Sequence, residues 1–331
     1  MKSVVQQVLR TSPLPINNSF VFPVMDNRNG SFPRSGNSVA DMRQRYKKDV
    51  RKFDINLSTE RLIFASPYSN VYRTSTTRHE DVCVKALRAL GDLSRKESRD
   101  KQITQVMREM TTWVNLRHTN ILPLLGYCEL PGEHFIGLVS EWKQEGHILR
   151  YIGSNPNPEA DKLSLLIGCA NGLSYLHNHN VVHSDLKCQN VLITLSSTGP
   201  IPLICDFGTS RIIGMRGYTT RSSWGTQGFL APELEEDVQG TPTRASDVWS
   251  FAVMAYQLFT EREYLSRNER FGSKEYPGDV RGLTPEIWNV LTACWCRLQH
   301  ERPPADRISQ AFRIVQETGT APGRDWLIMR S

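Results

Sequence analysis

The chain has 331 residues, a formal net charge of +6, 39% hydrophobic residues and 7 cysteines. That length suits one large domain or two lobes around a cleft, and no run reaches the roughly 18 apolar residues of a membrane-spanning helix. The modest basic balance comes with no zinc spacing and no aromatic-basic surface, which argues against a nucleic-acid partner; the scattered, odd cysteines point to reduced thiols, and hence to a cytoplasmic or nuclear setting.

Residues 1–58 are rich in Ser, Asn, Pro and Arg and show little periodicity, so they are expected to stay disordered. Met1 to Ser12 lack the apolar core and small-residue cleavage site of a secretory signal. The basic run from Arg43 to Lys48, continued by Arg51 and Lys52, reads as a solvated flank rather than a nuclear address. Short strands follow. Arg61–Phe64 and Asn70–Arg73 predict a hairpin, and Asp81–Ala86 alternates like a third strand. Ser94–Leu116 reads as a charged helix, then Ile121–Cys128 and Phe135–Ser140 as strands. Within Asp161–His177, Leu166, Cys169, Ala170, Leu173 and Leu176 recur at helical spacing. Asp247–Phe259 is too apolar for a surface helix. A strand-rich first lobe and a helix-rich second lobe make an α+β fold with a cleft between them.

Chemistry-bearing residues fall in a fixed order. Lys85 closes Val82-Cys83-Val84-Lys85, and Glu109 lies in the charged helix. Asp185, Lys187 and Asn190 sit in His183-Ser184-Asp185-Leu186-Lys187-Cys188-Gln189-Asn190. Asp206-Phe207-Gly208 and Ala231-Pro232-Glu233 follow. Together these resemble the protein-kinase signature set, over about Thr59 to the low 320s. The resemblance implies a bilobal kinase domain at 59–320, with a first lobe 59–140, a hinge 141–144 and a second lobe 145–320, leaving 321–331 as a tail. It implies ATP and Mg²⁺ as cofactors and protein substrates as partners.

Roles carry over residue by residue. Asp206 and Asn190 resemble the metal ligands, hard oxygen donors that suit Mg²⁺. Lys85 is expected on the α- and β-phosphates, held by Glu109. Asp185 is expected to orient the substrate hydroxyl and take its proton, with Lys187 stabilising the moving phosphoryl group. Val71 and Leu192 are expected to sandwich the adenine, Glu141 and Lys143 to line the hinge after a small residue, Ser140, and Tyr68 to cap the triphosphate. His183, Phe207 and Gly208 are structural members of their motifs. Asp247 resembles the buried acid that anchors the catalytic-loop backbone, and Arg302 the partner of Glu233.

Asp185-Leu186-Lys187 and Gly225-Thr226 resemble serine/threonine kinases. Leu124-Leu125-Gly126-Tyr127-Cys128, and Cys294-Trp295 near Arg302, resemble the tyrosine-kinase-like group. The chain also departs from the family. The phosphate-covering loop, Phe64 to Asn70, has no glycine, and forcing another residue left-handed costs roughly 1–2 kcal/mol. A pseudokinase scaffold with weak nucleotide binding is therefore the alternative reading. Ser184 replaces the arginine that clamps an activation-loop phosphate, so activity is expected not to require phosphate on Thr219, Thr220, Ser222 or Ser223. Cys83 stands where alanine is usual, and Cys205 precedes Asp206; both are read as packing residues, although a thiol at 205 could meet electrophiles.

Overall fold

The computed structural model describes residues 50–329, except 67–68, 79, 89–95, 131–134, 156–157, 215–224, 238–239 and 264–274. Tyr68, Thr219, Thr220, Ser222 and Ser223 therefore lie outside the described residues.

The first lobe is a six-stranded sheet around one helix. Its strands are β1 (Arg51–Lys52), β2 (Ile55–Ala65), β3 (Ser69–Thr76), β4 (Asp81–Leu87), β5 (Leu124–Leu130) and β6 (Phe135–Glu141), in the order β1-β5-β6-β4-β3-β2. All neighbours pair antiparallel except β1 and β5, which are parallel. β4 shows why the site forms here. Val82, Val84 and Ala86 bury one face, so the two-residue period turns Cys83 and Lys85 to the other. Helix α1 (Lys96–Trp113) carries Ile103, Val106, Met107 and Met110 at helical spacing, all buried, with Glu109 among them.

The second lobe is helical: α2 (Ile148–Ser154), α3 (Pro158–Asn178), α4 (Pro232–Glu236), α5 (Arg244–Thr260), α6 (Pro285–Cys294), α7 (Ala305–Thr318) and α8 (Arg324–Ile328). Between α3 and α4 lie short strands: β7 (Val181–Val182), β8 (Val191–Ser196), β9 (Gly199–Ile204) and β10 (Arg211–Ile212). They form the two-stranded pairs β8–β9 and β10–β7. α5 is the axis of this lobe. It is buried from Ser246 to Ala255 and starts at a capping box of Thr243 and Ser246. Its C-terminal carbonyls meet the fully buried Lys162, whose ammonium is 3.4 Å from the Phe259 oxygen and 2.6 Å from Glu261 Oε1. Among the described residues no helix is long and apolar enough to cross a membrane.

The structure shifts several sequence-based boundaries. The sheet begins before residue 58, because β1 and the start of β2 lie within the segment expected to be disordered, and Val50 and Phe53 are buried. β5 starts at Leu124 rather than Ile121, since Pro123 has no N–H to give a ladder; Ile121 makes only an isolated bridge to Ile204. Glu141, expected on the hinge, still pairs with Val82 at the end of β6. Residues 321–331 are not merely a tail: α8 buries Leu327 and lays the Trp326 ring 4.8 Å beneath the Arg307 guanidinium.

Arg302 links the segment before α7 to α4. Its side chain is fully buried and makes two 2.7 Å bonds to the Glu233 carboxylate, with a third bond to the Ala245 carbonyl at 3.0 Å. Glu233→Gln would strand the guanidinium's charge and is expected to lower unfolding stability by about 3 kcal/mol. Urea denaturation, with the slope unchanged and the midpoint shifted down, would show it.

Candidate functional site

Two hydrogen-bonded clusters meet where the lobes face each other. The first is built on Lys85. Its ammonium stands 2.8 Å from Glu109 Oε1 and 2.5 Å from Asp206 Oδ1. β4 supplies the lysine and α1 the glutamate; the turn after β9 supplies the aspartate. Asp206 takes φ +66°, and its Oδ1 also accepts from the Gly208 N–H at 3.2 Å. A Cβ on Gly208 would lie 3.2–3.3 Å from Asp206 Oδ1, Glu109 Oε2 and Lys85 Nζ, so this glycine leaves room for the cluster. Burial opposes charge on Lys85, but Asp206 and Glu109 outweigh it and hold the ammonium protonated. Burial pushes the Glu109 carboxyl up, against the pull of Lys85. Burial acts the same way on Asp206, yet Lys85 and the Gly208 N–H prevail and bring it down to about 2.

The second cluster is the loop from His183 to Asn190, between β7 and β8. Asp247, 1% exposed near the start of α5, receives the backbone N–H groups of His183 and Ser184, both at 2.8 Å, and lies 3.0 Å from His177 Nε2. A buried carboxylate needs such partners. They hold Ser184 at φ +70°. Asp185 then faces the cleft. Its Oδ1 accepts from the Thr226 hydroxyl at 2.7 Å; its Oδ2 lies 2.9 Å from Lys187 Nζ and 3.1 Å from Asn190 Nδ2. Lys187 also donates to Thr226 Oγ1 at 2.6 Å. His183 Nε2 is 3.0 Å from the Cys205 carbonyl, which ties this loop to the strand leading to Asp206. Phe207, 1% exposed, packs between the Trp113 and His183 rings at 5.7 and 5.5 Å.

The remaining residues surround these clusters. Val71 pairs with Lys85 across β3 and β4, and Leu192 on β8 bridges to His147. Lys143 turns inward: its side chain is 9% exposed and its ammonium is 2.9 Å from Glu141 Oε2 and 3.5 Å from Thr194 Oγ1. Beside this edge a cavity of about 380 Å³ is lined by Ile63, Trp142 and three arginines, Arg61, Arg73 and Arg150. Cys83 pairs with Ser140 in register; burial raises its thiol to about 11 and raises Cys205 further, so both are protonated at neutral pH and weak nucleophiles. His177 escaped sequence reading because its apolar helix hides it; its partner Asp247 lies 70 residues away. The Lys143–Thr194 contact was equally invisible.

The lowered pKa of Asp206 ties folding stability to pH. A folded value near 2 against an ordinary value of 3.8 adds stability above that ordinary value, lost as the pH falls through about 2. Asp206→Asn should therefore flatten the pH dependence of stability between about pH 4 and pH 2, measured by urea titration across that window.

The family description "Protein kinase domain" matches residues 64–313. The chain is 32% identical over 254 residues to human mitogen-activated protein kinase kinase kinase 19, covering 72% of this chain and 18% of that protein. It is 28% identical over 290 residues to the serine/threonine-protein kinase CTR1 of Arabidopsis thaliana, covering 83% of this chain and 33% of that one. A third relative is the probable serine/threonine-protein kinase gdt2 of Dictyostelium discoideum, 30% identical over 223 residues, 63% of this chain and 13% of that protein. The chain thus spans between about an eighth and a third of these relatives' lengths. With a kinase match across most of its length, the chain belongs to the protein kinase family, with similarity to serine/threonine kinases of the tyrosine-kinase-like group.

Proposed function

We propose that this domain transfers the γ-phosphoryl group of ATP to serine and threonine hydroxyls of proteins. The observation that carries this reading is the Thr226 hydroxyl, which bridges Asp185 Oδ1 at 2.7 Å and Lys187 Nζ at 2.6 Å. That bridge fixes a carboxylate and an ammonium side by side, facing the Lys85 cluster. Relatives named serine/threonine-protein kinases support the same acceptor class.

In this mechanism the hydroxyl oxygen of the acceptor forms a bond to the γ-phosphorus as the bond to the β,γ-bridging oxygen breaks. The hydroxyl proton passes to Asp185, and the leaving ADP keeps the bridging electrons. Lys187 faces the phosphoryl oxygens during transfer. Lys85, held extended by Glu109, takes the α- and β-phosphates, and Val71 and Leu192 enclose the base beside Glu141 and Lys143. The donor set suits a hard divalent cation. Asp206 Oδ1 is committed to Lys85 and Gly208, and the carboxylate is 40% exposed, so Oδ2 is available. Asn190 Nδ2 is committed to Asp185, which leaves Asn190 Oδ1. Mg²⁺ bound there would supply charge neutralisation for the phosphates.

Purified protein should show a raised melting temperature with ATP and Mg²⁺ and should phosphorylate serine or threonine in a peptide array. Asp185→Asn should lower turnover by at least about a hundredfold without loss of nucleotide binding. Lys85→Met should cost a similar factor and weaken the thermal shift as well. Thr226→Val should be milder, about tenfold, because it removes hydrogen bonds but no charge. Binding without turnover in the unaltered protein would instead mark a scaffold, as the glycine-free loop suggests. Turnover that persists unchanged in Asp185→Asn would overturn the assigned base.

Ser184 carries a further expectation. Its hydroxyl is buried and has no hydrogen-bond partner among the described residues, and no arginine stands at this position to receive a phosphate. Phosphatase-treated protein should retain most of its activity, and full inactivation by that treatment would contradict this.

A further inference from the structure

The cavity of about 380 Å³ beside Glu141 and Lys143 carries positive charge that phosphoryl transfer does not use. β2 brings Arg61, Leu62 and Ile63 to it, β3 brings Arg73, the chain after β6 brings Trp142 and Gln144, and α2 brings Arg150. None of these residues is acidic. Arg73 already has partners: its guanidinium donates to Asp81 at 2.6 Å and lies 5.2 Å from the centre of the Trp142 ring. The Arg61 and Arg150 side chains are exposed, and neither makes an ion pair or a side-chain hydrogen bond among the described residues. Three guanidiniums thus meet one bound carboxylate, and positive charge is left over.

The local structure holds these groups in place. Gly146 has φ +73°, and a Cβ there would lie 2.9 Å from Arg150 Cδ, so the glycine lets the arginine lie back against the chain. The Gly146 carbonyl accepts from the Ile193 N–H at 2.9 Å and His147 bridges Leu192, which sets this wall beside the proposed adenine site. Trp142 is fixed by donating to Gln144 Oε1 at 3.1 Å. Leu62 and Ile63 put apolar surface next to the cations, being 52% and 42% exposed. β2 is the last strand of its sheet, so among the described residues no strand pairs along its outer edge, and its backbone can take an extended segment. A nucleic acid would stack on the indole face that Arg73 already covers. A small anion would make no use of Leu62 and Ile63. An extended peptide with carboxylate and aliphatic side chains suits both features.

We propose that this cavity docks an acidic, extended segment of the protein substrate, with carboxylates on Arg61 and Arg150 and aliphatic side chains over Leu62 and Ile63. The effect on turnover rests on the kinase reading; the binding of the segment does not. Guanidinium–carboxylate pairs are charge-assisted hydrogen bonds, the strong kind, and at exposed arginines salt screens them. A substrate held here brings its own hydroxyl to Asp185 at a raised local concentration. That lowers KM and leaves kcat unchanged, because the contact is the same before and during transfer.

The test uses the full chain and fluorescence anisotropy with three labelled probes: a peptide of alternating Glu and Leu, one of alternating Lys and Leu, and a single-stranded oligothymidylate. The Glu–Leu peptide should bind best and weaken as salt is raised. Arg61→Ser with Arg150→Ser should weaken it by about tenfold or more. Arg61→Glu with Arg150→Glu should turn the preference to the Lys–Leu peptide, a reversal that a merely structural role would not produce. A serine peptide joined to the Glu–Leu segment should have a KM about tenfold below that of the same peptide with Gln for Glu. The double serine variant should erase that difference, with kcat and the KM for ATP unchanged. The proposal fails if the Glu–Leu peptide does not bind, if both glutamate substitutions leave its binding unchanged, or if the oligothymidylate binds in its place. A raised KM for ATP in the double serine variant would assign the arginines to the nucleotide and overturn it as well. If the unaltered protein phosphorylates no peptide, the function above fails, while anisotropy still decides whether an acidic segment docks here.

Discussion

Everything in the cleft depends on one buried ammonium. Lys85 joins residues 24 and 121 positions away in the chain, one from a helix of the first lobe and one from a turn of the second. Charge removed from water must be paired, so the lysine draws both carboxylates to itself. The pair with Glu109 fixes how α1 sits against the sheet. The pair with Asp206 fixes the turn that Phe207 anchors beneath, between Trp113 and His183. The lobes are thus registered to each other by electrostatics at the point where nucleotide phosphates are proposed to lie.

The second lobe solves a different problem, that of a rigid polar loop against an apolar core. α5 is buried along most of its length, yet it carries Asp247 into that interior. The carboxylate takes two backbone N–H groups of the catalytic loop, and the loop bends through a left-handed Ser184 to meet it. Asp185 is aimed by that bend and then held by Thr226, Lys187 and Asn190. Pre-organised groups of this kind need no rearrangement as charge moves, which is what makes such a site effective. The same logic extends outward to Gly126, where the absence of a side chain lets a strand from before the domain lie against the sheet that presents Lys85.

Much of this was legible in the residues. Alternation in Asp81–Leu87 placed Lys85 on a strand, and the apolar character of Asp247–Phe259 marked a buried helix. Both patterns are local, and local patterns survive in sequence. β1 was not legible. Arg51 and Lys52 look like a solvated basic run, since a two-residue strand is too short for any period to show and its partner lies beyond residue 120. α8 was hidden for a like reason: its five residues gain their stability from Trp326 under Arg307 and from buried Leu327, not from their own propensity.

Which chemical groups the chain owns, and the order in which they appear, can be read from the residues alone: Lys85, Glu109, Asp185, Lys187, Asn190, Asp206. So can the departures, Ser184 and a loop without glycine. Which of those groups share a bond came from the folded chain. It gave Asp206 to Lys85, Thr226 to both Asp185 and Lys187, His177 to Asp247, and the slot at Gly126 to Phe53. The reason is physical. A hydrogen bond is set by separations of about 3 Å, and for residues far apart in the chain those distances are fixed by how the core packs, not by any spacing along the sequence.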